Sequence, residues 1–403
     1  MPRTHWPAVW AAIAAGIVAA AYVGKLPPAI PLLRAEFGLS LVAAGWVNSI
    51  FNTLSVCTAA LVGALAGRYG ALRFCGTGLA AMMLGGALGA AAQGEGLLIA
   101  SRILEGGGFI AIAVSAPALI IAACAPRERN LALGLWASYL PFGSGLTILA
   151  SPFLLGAIGW RGLWLAIVLL TLACTIALWR CRGGYRSTSA AAPTLADSLQ
   201  ALRQFGPWFL ALGFACYSLM YYAVAVWLPT FLMQERGASI TQAALLTALL
   251  IGCNAGGNLL GGWLMHRAAP RGHVISLAFL VMAACSAGIF SASLPDALRL
   301  SLCALFMLIG GTIPASILSG GHIYAREASQ ISSIQGLIVQ IAQIGPFAGP
   351  PLVAVVVSAA GNWEAALGVL LAAAACGTLL GQMAQRSEQE LRRADIDRAA
   401  RRR

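Results

Sequence analysis

Apolar residues in this chain fall into blocks long enough to cross a bilayer, parted by short charged or Pro/Gly-rich breaks. A spanning helix needs about 20 apolar residues. The breaks define six such blocks at 7–26, 41–66, 74–93, 97–121, 131–156 and 161–179. Six more follow at 207–233, 241–265, 273–292, 296–320, 331–357 and 364–384. The longest polar stretch before the tail, RCRGGYRSTSAAAPTLADSLQALRQ, lies between the two sets. The pattern predicts an all-α polytopic membrane protein of 12 transmembrane helices in two six-helix halves. The halves are 1–180 and 206–385, with a linker at 181–205 and a basic tail at 386–403.

Composition sharpens that picture. Of 403 residues 60% are hydrophobic and 9% are charged, and the mean hydropathy is +0.83. Soluble domains carry about 25% charged residues, so an ordinary cytosolic enzyme is excluded. Twelve spans use roughly 240 to 280 positions, leaving short loops and no separate catalytic domain. The formal net charge of +12 would suit a nucleic-acid binder if the chain were soluble. With the N-terminus inside, however, 19 of the 25 basic residues fall in inner segments and the tail. That asymmetry puts both termini in the cytoplasm, and the charge reports topology. The first apolar block lacks a small-residue cleavage pattern and reads as the first helix, not a signal peptide. Twenty-four basic residues are Arg and one, Lys25, is Lys. The Arg and Ala excess suggests a GC-rich bacterial genome, hence an inner membrane. The ten Cys include no CxxC pair and read as small buried hydrophobes before disulfide or metal ligands.

The halves resemble each other at an offset near 200 residues. GALAGR at 63–68 answers GWLMHR at 262–267, and Leu26-Pro27 answers Leu228-Pro229. Asn52 falls on Asn254, Trp160 on Trp363, and Pro141-Phe142-Gly143 on the segment from Pro346 to Gly349. Five matches in order predict two parallel repeats with a pathway at their interface, the arrangement suited to alternating access.

These residues make the chain similar to the major facilitator superfamily. The segment Gly63 to Arg73, with Arg68 and Gly70, resembles the family's signature loop between helices 2 and 3. The resemblance implies a conformational gate there, with Gly262 and Arg267 as the second-half counterparts. An acid that usually stands in the family's loop is replaced by Gly67, and His266 takes the second-half place, so the resemblance does not extend to the family's latch between halves. Leu98-Ile-Ala-Ser-Arg102-Ile-Leu-Glu105-Gly106-Gly-Gly108 is similar to the family's helix 4 motif. The exporter-type helix 5 motif is only partly present around Pro141 to Gly145. Short loops and the Trp160-Arg161 opening resemble the bacterial cyanate/nitroimidazole-type branch.

Among the candidate residues, Arg102 and Glu105 share a helix face at i,i+3, and Glu105 is the one acid that must lie in hydrocarbon. Intramembrane ionisable groups are costly and usually mark a pathway or relay. Either Glu105 takes up a coupling proton or the two form a permanent structural pair. Lys25, near the end of helix 1, either attracts an anionic substrate or snorkels to anchor the helix. Helices 6 and 9 carry no Asn, Gln or Tyr. Uncharged polar residues gather on helices 2, 5, 7, 8 and 11, which matches a fold whose helices 3, 6, 9 and 12 face lipid. These polar residues include Asn48, Asn52, Asn254, Asn258, Gln335, Gln340 and Gln343. Each could glue helices or touch substrate. Trp136, Tyr139, Tyr217 and Tyr221 suit an aromatic ligand body or plain packing. Gly106, Gly107, Gly108, Gly256, Gly257, Gly261 and Gly262 predict close helix approach, and Pro346, Pro350 and Pro351 an interruption of helix 11.

There is no Walker motif, HExxH, Gly-x-Ser-x-Gly or metal-spaced His/Cys group. No metal or cofactor is expected, nor an enzyme, and a polytopic enzyme on lipid-linked substrate lacks its acid/base cluster. The expected function is secondary transport of a small solute by a monomer. Uptake of a small organic anion, proton-coupled through Glu105, competes with export of a drug-like or aromatic metabolite.

Overall fold

The computed structural model describes residues 4–58, 70–185, 203–290, 294–325 and 328–401. Helices dominate them, and no strand occurs among the described residues. Eleven helical stretches are long and apolar enough to cross a membrane. One, Pro126–Arg180, is 55 residues long. At 1.5 Å per residue that is about 80 Å, more than twice the roughly 30 Å hydrocarbon core. It breaks at Gly159, whose φ of 66° and ψ of 179° leave helical geometry. A side chain would be strained at that positive φ, so a single glycine replaces a loop and the spans among the described residues number twelve.

We label them α1 (Trp6–Phe37), α2 (Leu41–Thr58), α3 (Ala71–Ala90), α4 (Glu95–Ala123), α5 (126–158) and α6 (160–180). The second set is α7 (Phe205–Arg236), α8 (Ile240–His266), α9 (Arg271–Ile289) and α10 (Asp296–Leu318). It closes with α11 (Ile334–Ala360) and α12 (Ala366–Arg401). The interruption expected in α11 falls at Gln343, between helices ending at Ala342 and starting at Ile344. Pro346 has no N–H for the carbonyl of residue 342, which explains the position. Pro350 and Pro351 lie inside the following helix.

By contacts the chain forms two compact units, Met1–Ala191 with Val224–Gly252, and Ala192–Ala223 with Cys253–Arg403. In the first, α1 packs on α4, α5 and α6, and α3 packs on α4. Ile148 of α5 packs with Ala244 and Ile251 of α8 in the same unit. In the second, α9 packs on α10 and α12.

Glycine closes the tightest approaches, and the two units repeat them. A Cβ on Gly106 of α4 would strike the carbonyl oxygen of Phe51 on α2. A Cβ on Gly311 of α10 would strike that of Asn254 on α8. Likewise Gly143 of α5 lies on the Ile17 carbonyl of α1, and Gly345 of α11 on Ser218 and Leu219 of α7. Gly108, Gly257 and Gly261 also meet neighbouring backbone. Gly262 is the correction to this set: nothing lies within 4 Å of its Cβ position.

Candidate functional site

Among the described residues two polar constellations lie inside the spans, one in each unit. The first is built on a break in α1. Helix Trp6–Gly24 ends and helix Leu26–Phe37 begins around Lys25, which keeps helical angles (φ −67°, ψ −29°). Pro27 and Pro28 cannot donate to the carbonyls of Val23 and Gly24, so the hydrogen-bond ladder stops there. Gly24 lets α1 lie close on the backbone of Ser144 in α5.

Lys25 at this break points at α4. Its Nζ donates to Glu105 Oε1 at 2.6 Å, and Arg102 Nη1 donates to Glu105 Oε2 at 2.5 Å. Arg102 Nη1 also donates to the Tyr22 carbonyl at 3.0 Å, and its guanidinium lies 4.5 Å from the Phe51 ring centroid. Lys25 Nζ stands 4.2 Å from the Tyr22 ring centroid and 4.4 Å from that of Trp164. The three ionisable side chains are 0%, 1% and 0% exposed. Tyr22 Oη lies 3.1 Å from Thr171 Oγ1, which itself donates to the Ile167 carbonyl at 2.7 Å. Glycines of α3 make room for all of this. A Cβ on Gly85 would come within 2.7 Å of Glu105 Cγ, and one on Gly89 within 2.8 Å of Trp164 Nε1.

The expected Arg102–Glu105 contact is therefore present, and Lys25 joins it. As an anion trap or a snorkelling anchor Lys25 would keep its ammonium accessible. Here it is wholly buried on a carboxylate 80 residues away in sequence. Tyr22, Trp164, Thr171 and the α3 glycines were not singled out from sequence. The Gly85-Gly86 pair was the available signal, since adjacent small residues in a span invite a neighbour's bulk.

The second constellation is neutral. Asn254 Nδ2 on α8 donates to Tyr217 Oη on α7 at 2.9 Å and to the Met307 carbonyl on α10 at 2.9 Å. Asn258 Nδ2 donates to the Asn254 carbonyl at 3.1 Å. Tyr221 lies 5.9 Å from Tyr217 and 5.2 Å from Tyr222, centroid to centroid. These polar groups tie α7, α8 and α10 together, the glue-like use of an intramembrane amide.

The remaining candidates are spread more widely. Asn48 and Asn52 are buried in α2. Trp136 and Tyr139 stack at 4.2 Å against Gly16 of α1. Gln335 Nε2 donates to the Leu318 carbonyl at 2.6 Å, while Gln340 is half-buried in α11. Gly63 and Arg68 lie outside the described residues. Gly70 precedes α3 at φ 93°, and Arg73 is exposed. Arg267 lies 5.0 Å from the Trp263 ring centroid.

Two further ties escaped the sequence reading. Arg271 at the start of α9 donates to Glu388 of α12 at 2.5 Å and to the carbonyls of Ser316 and Ser319. Glu36 accepts from Trp160 Nε1 at 2.6 Å and Arg161 Nη1 at 2.5 Å.

The comparisons agree with this architecture. The family model described as Major Facilitator Superfamily matches residues 11–344. The 2-nitroimidazole transporter of Escherichia coli (strain K12) is 26% identical over 84% of this chain and 85% of its own length. The 3-(3-hydroxy-phenyl)propionate transporter of the same organism is 28% identical over 78% of each chain. A crystal structure of a bacterial homolog to the human lysosomal transporter Spinster, inward-facing and occupied, superposes with a TM-score of 0.78. It is 15% identical and covers 96% of both chains, a likeness of fold.

Proposed function

We propose that this chain, which belongs to the Major Facilitator Superfamily and is a transporter of small solutes rather than an enzyme, takes up a small organic anion together with a proton. It works as a monomer in a bacterial inner membrane with both termini cytoplasmic, by alternating access. The observation that carries the reading is the Lys25–Glu105–Arg102 cluster, two cations on one carboxylate with no exposed surface. A buried ionisable group in a span most often belongs to a pathway or relay. A proton moving with a monovalent anion makes the translocated charge zero, which removes the cost of carrying an unpaired charge across hydrocarbon. The relative named for 3-(3-hydroxy-phenyl)propionate, an aromatic carboxylate, supports the anion class.

The test is uptake of labelled 3-(3-hydroxyphenyl)propionate into proteoliposomes, with its uncharged amide as the paired probe and protein-free liposomes as background. An acid exterior is expected to accelerate uptake of the acid several-fold and leave the amide at background. Uptake indifferent to the gradient would defeat the coupling, and equal transport of the amide would defeat the anion class. A second reading, outward movement of neutral heteroaromatics, draws on the 2-nitroimidazole relative and on the Tyr217–Tyr221–Tyr222 group. Its mark would be outward flux of 2-nitroimidazole.

A further inference from the structure

Two cations share one carboxylate in a core without solvent contact, and the charge count separates the ways this site can exchange a proton. With all three groups ionised the cluster carries one net positive charge. Protonating Glu105 would leave two buried cations with no counter-charge. Removing a proton from Lys25 would leave Arg102 and Glu105 as a neutral pair. An unpaired charge in an apolar interior is strongly unfavourable, so the second change is the cheaper one. Arg102 offers no alternative, because a guanidinium stays protonated in proteins.

Hydrogen bonding points the same way. Both oxygens of Glu105 already accept from a cation. Two donors of the cluster, Arg102 Nε and Trp164 Nε1, are buried with no acceptor. A proton on Glu105 would convert an acceptor into one more donor. A proton lost from Lys25 removes a donor and leaves a lone pair on nitrogen. The charged and titratable groups facing Lys25 are Glu105 and Arg102 from α4 and Tyr22 from its own helix. The α6 residue against it, Trp164, and the α3 glycines bring no charge.

We propose that Lys25 is the proton-carrying residue of this transporter and Glu105 its fixed counter-charge. This rests on the reading of the chain as proton-coupled. The Nζ–H bond breaks, its electron pair stays on nitrogen, and the proton passes to water when α1 opens the site to one side. The amine takes a proton back from water on the other side, while Glu105 remains a carboxylate held by Arg102. Lys25 stands at the break in α1, so the same event acts on the hinge. The ammonium pins the break to α4 through Glu105, and the amine releases it.

The chain contains one lysine, so protein grown on [ε-13C]lysine and placed in liposomes gives a single Cε resonance without assignment. Because burial disfavours the charged form of an amine, stepping from about pH 5 to about pH 9 is expected to move that resonance from the ammonium to the amine position. In Glu105→Gln the amine should appear at lower pH, because the carboxylate that favours the ammonium is gone. A wild-type resonance fixed at the ammonium position throughout would overturn the proposal, and this measurement needs no variant to fold. Gradient-driven uptake of 3-(3-hydroxyphenyl)propionate is read in parallel on the same protein. Lys25→Arg, permanently charged, is expected to lose the gradient stimulation completely. If Cε moves while uptake ignores the gradient, the coupling reading fails and the titrating lysine stands. If uptake follows the gradient while Cε holds still, the lysine proposal fails and the coupling reading stands.

Discussion

The first unit joins its helices through three buried ionisable side chains, whereas α7, α8 and α10 of the second are joined through an amide, a phenol and a backbone carbonyl. Yet their backbones approach alike. Gly106 lies on Phe51 in one unit as Gly311 lies on Asn254 in the other, and Gly143 on Ile17 as Gly345 on Leu219. The repeat thus survives in the distances between helices, and the chemistry diverges on the side chains that fill the gaps. The energies diverge too. Interhelical amide bonds contribute about 0.6 to 1.7 kcal/mol. Removing one member of a buried ion pair costs about 3 to 5 kcal/mol, because its partner stays charged and unpaired. Within the spans the larger energy therefore sits in the first unit, while the second holds its own buried ion pair, Arg271 with Glu388, where α9 meets the extension of α12.

The largest effect should come from Arg102→Met. It strips Glu105 of a cation and the Tyr22 carbonyl of its donor, and should cost about 3 to 5 kcal/mol. Melting followed by intrinsic fluorescence should show a loss of about 4 to 6 degrees, and transport should vanish. A variant as stable as wild type would erase the distinction between the units. Gly106→Val and Gly311→Val come next, each forcing a side chain into a facing carbonyl at about 1 to 3 kcal/mol or more. Near-equal losses in the two would sharpen the view that the scaffold is symmetric, and a large inequality would break it. Asn254→Leu should cost about 1 kcal/mol and leave the response of uptake to pH unchanged. A shifted pH response there would place the second unit in the coupling machinery. Smallest of all is Glu36→Gln, since its partner Arg161 is 42% exposed. Such a pair contributes about 0 to 1 kcal/mol, so melting should barely move.

Twelve spans were legible because hydrophobic length is a one-dimensional property that needs no knowledge of neighbours. The division between α5 and α6 was legible for a similar reason, since Gly acts locally on the chain, but the first block was read as ending at residue 26, whereas the helix resumes after Lys25 and runs to Phe37. The Arg102–Glu105 contact could be read as well, being three residues apart on one helix. The Lys25–Glu105 bond could not. Its partners are separated by 80 residues, and a helical wheel does not say which faces of α1 and α4 meet. The same holds for Asn254 with Tyr217, where each residue was marked as polar but their pairing depends on how α7 rotates against α8. Arg271 with Glu388 was hidden differently. A tail rich in charge looks solvated, and only the continuation of α12 brings one of its acids back to α9.

That continuation has a mechanical consequence. α12 runs unbroken for 36 residues, about 54 Å of rod, so some 20 Å must stand clear of the hydrocarbon. Glu388 and Gln385 fasten its emerging turns to the first turn of α9. A fluorophore rigidly joined beyond residue 401 would therefore hold a fixed angle to the helices beneath it. In aligned bilayers its emission would stay strongly polarised, and any tilting of α12 would turn the direction of that polarisation.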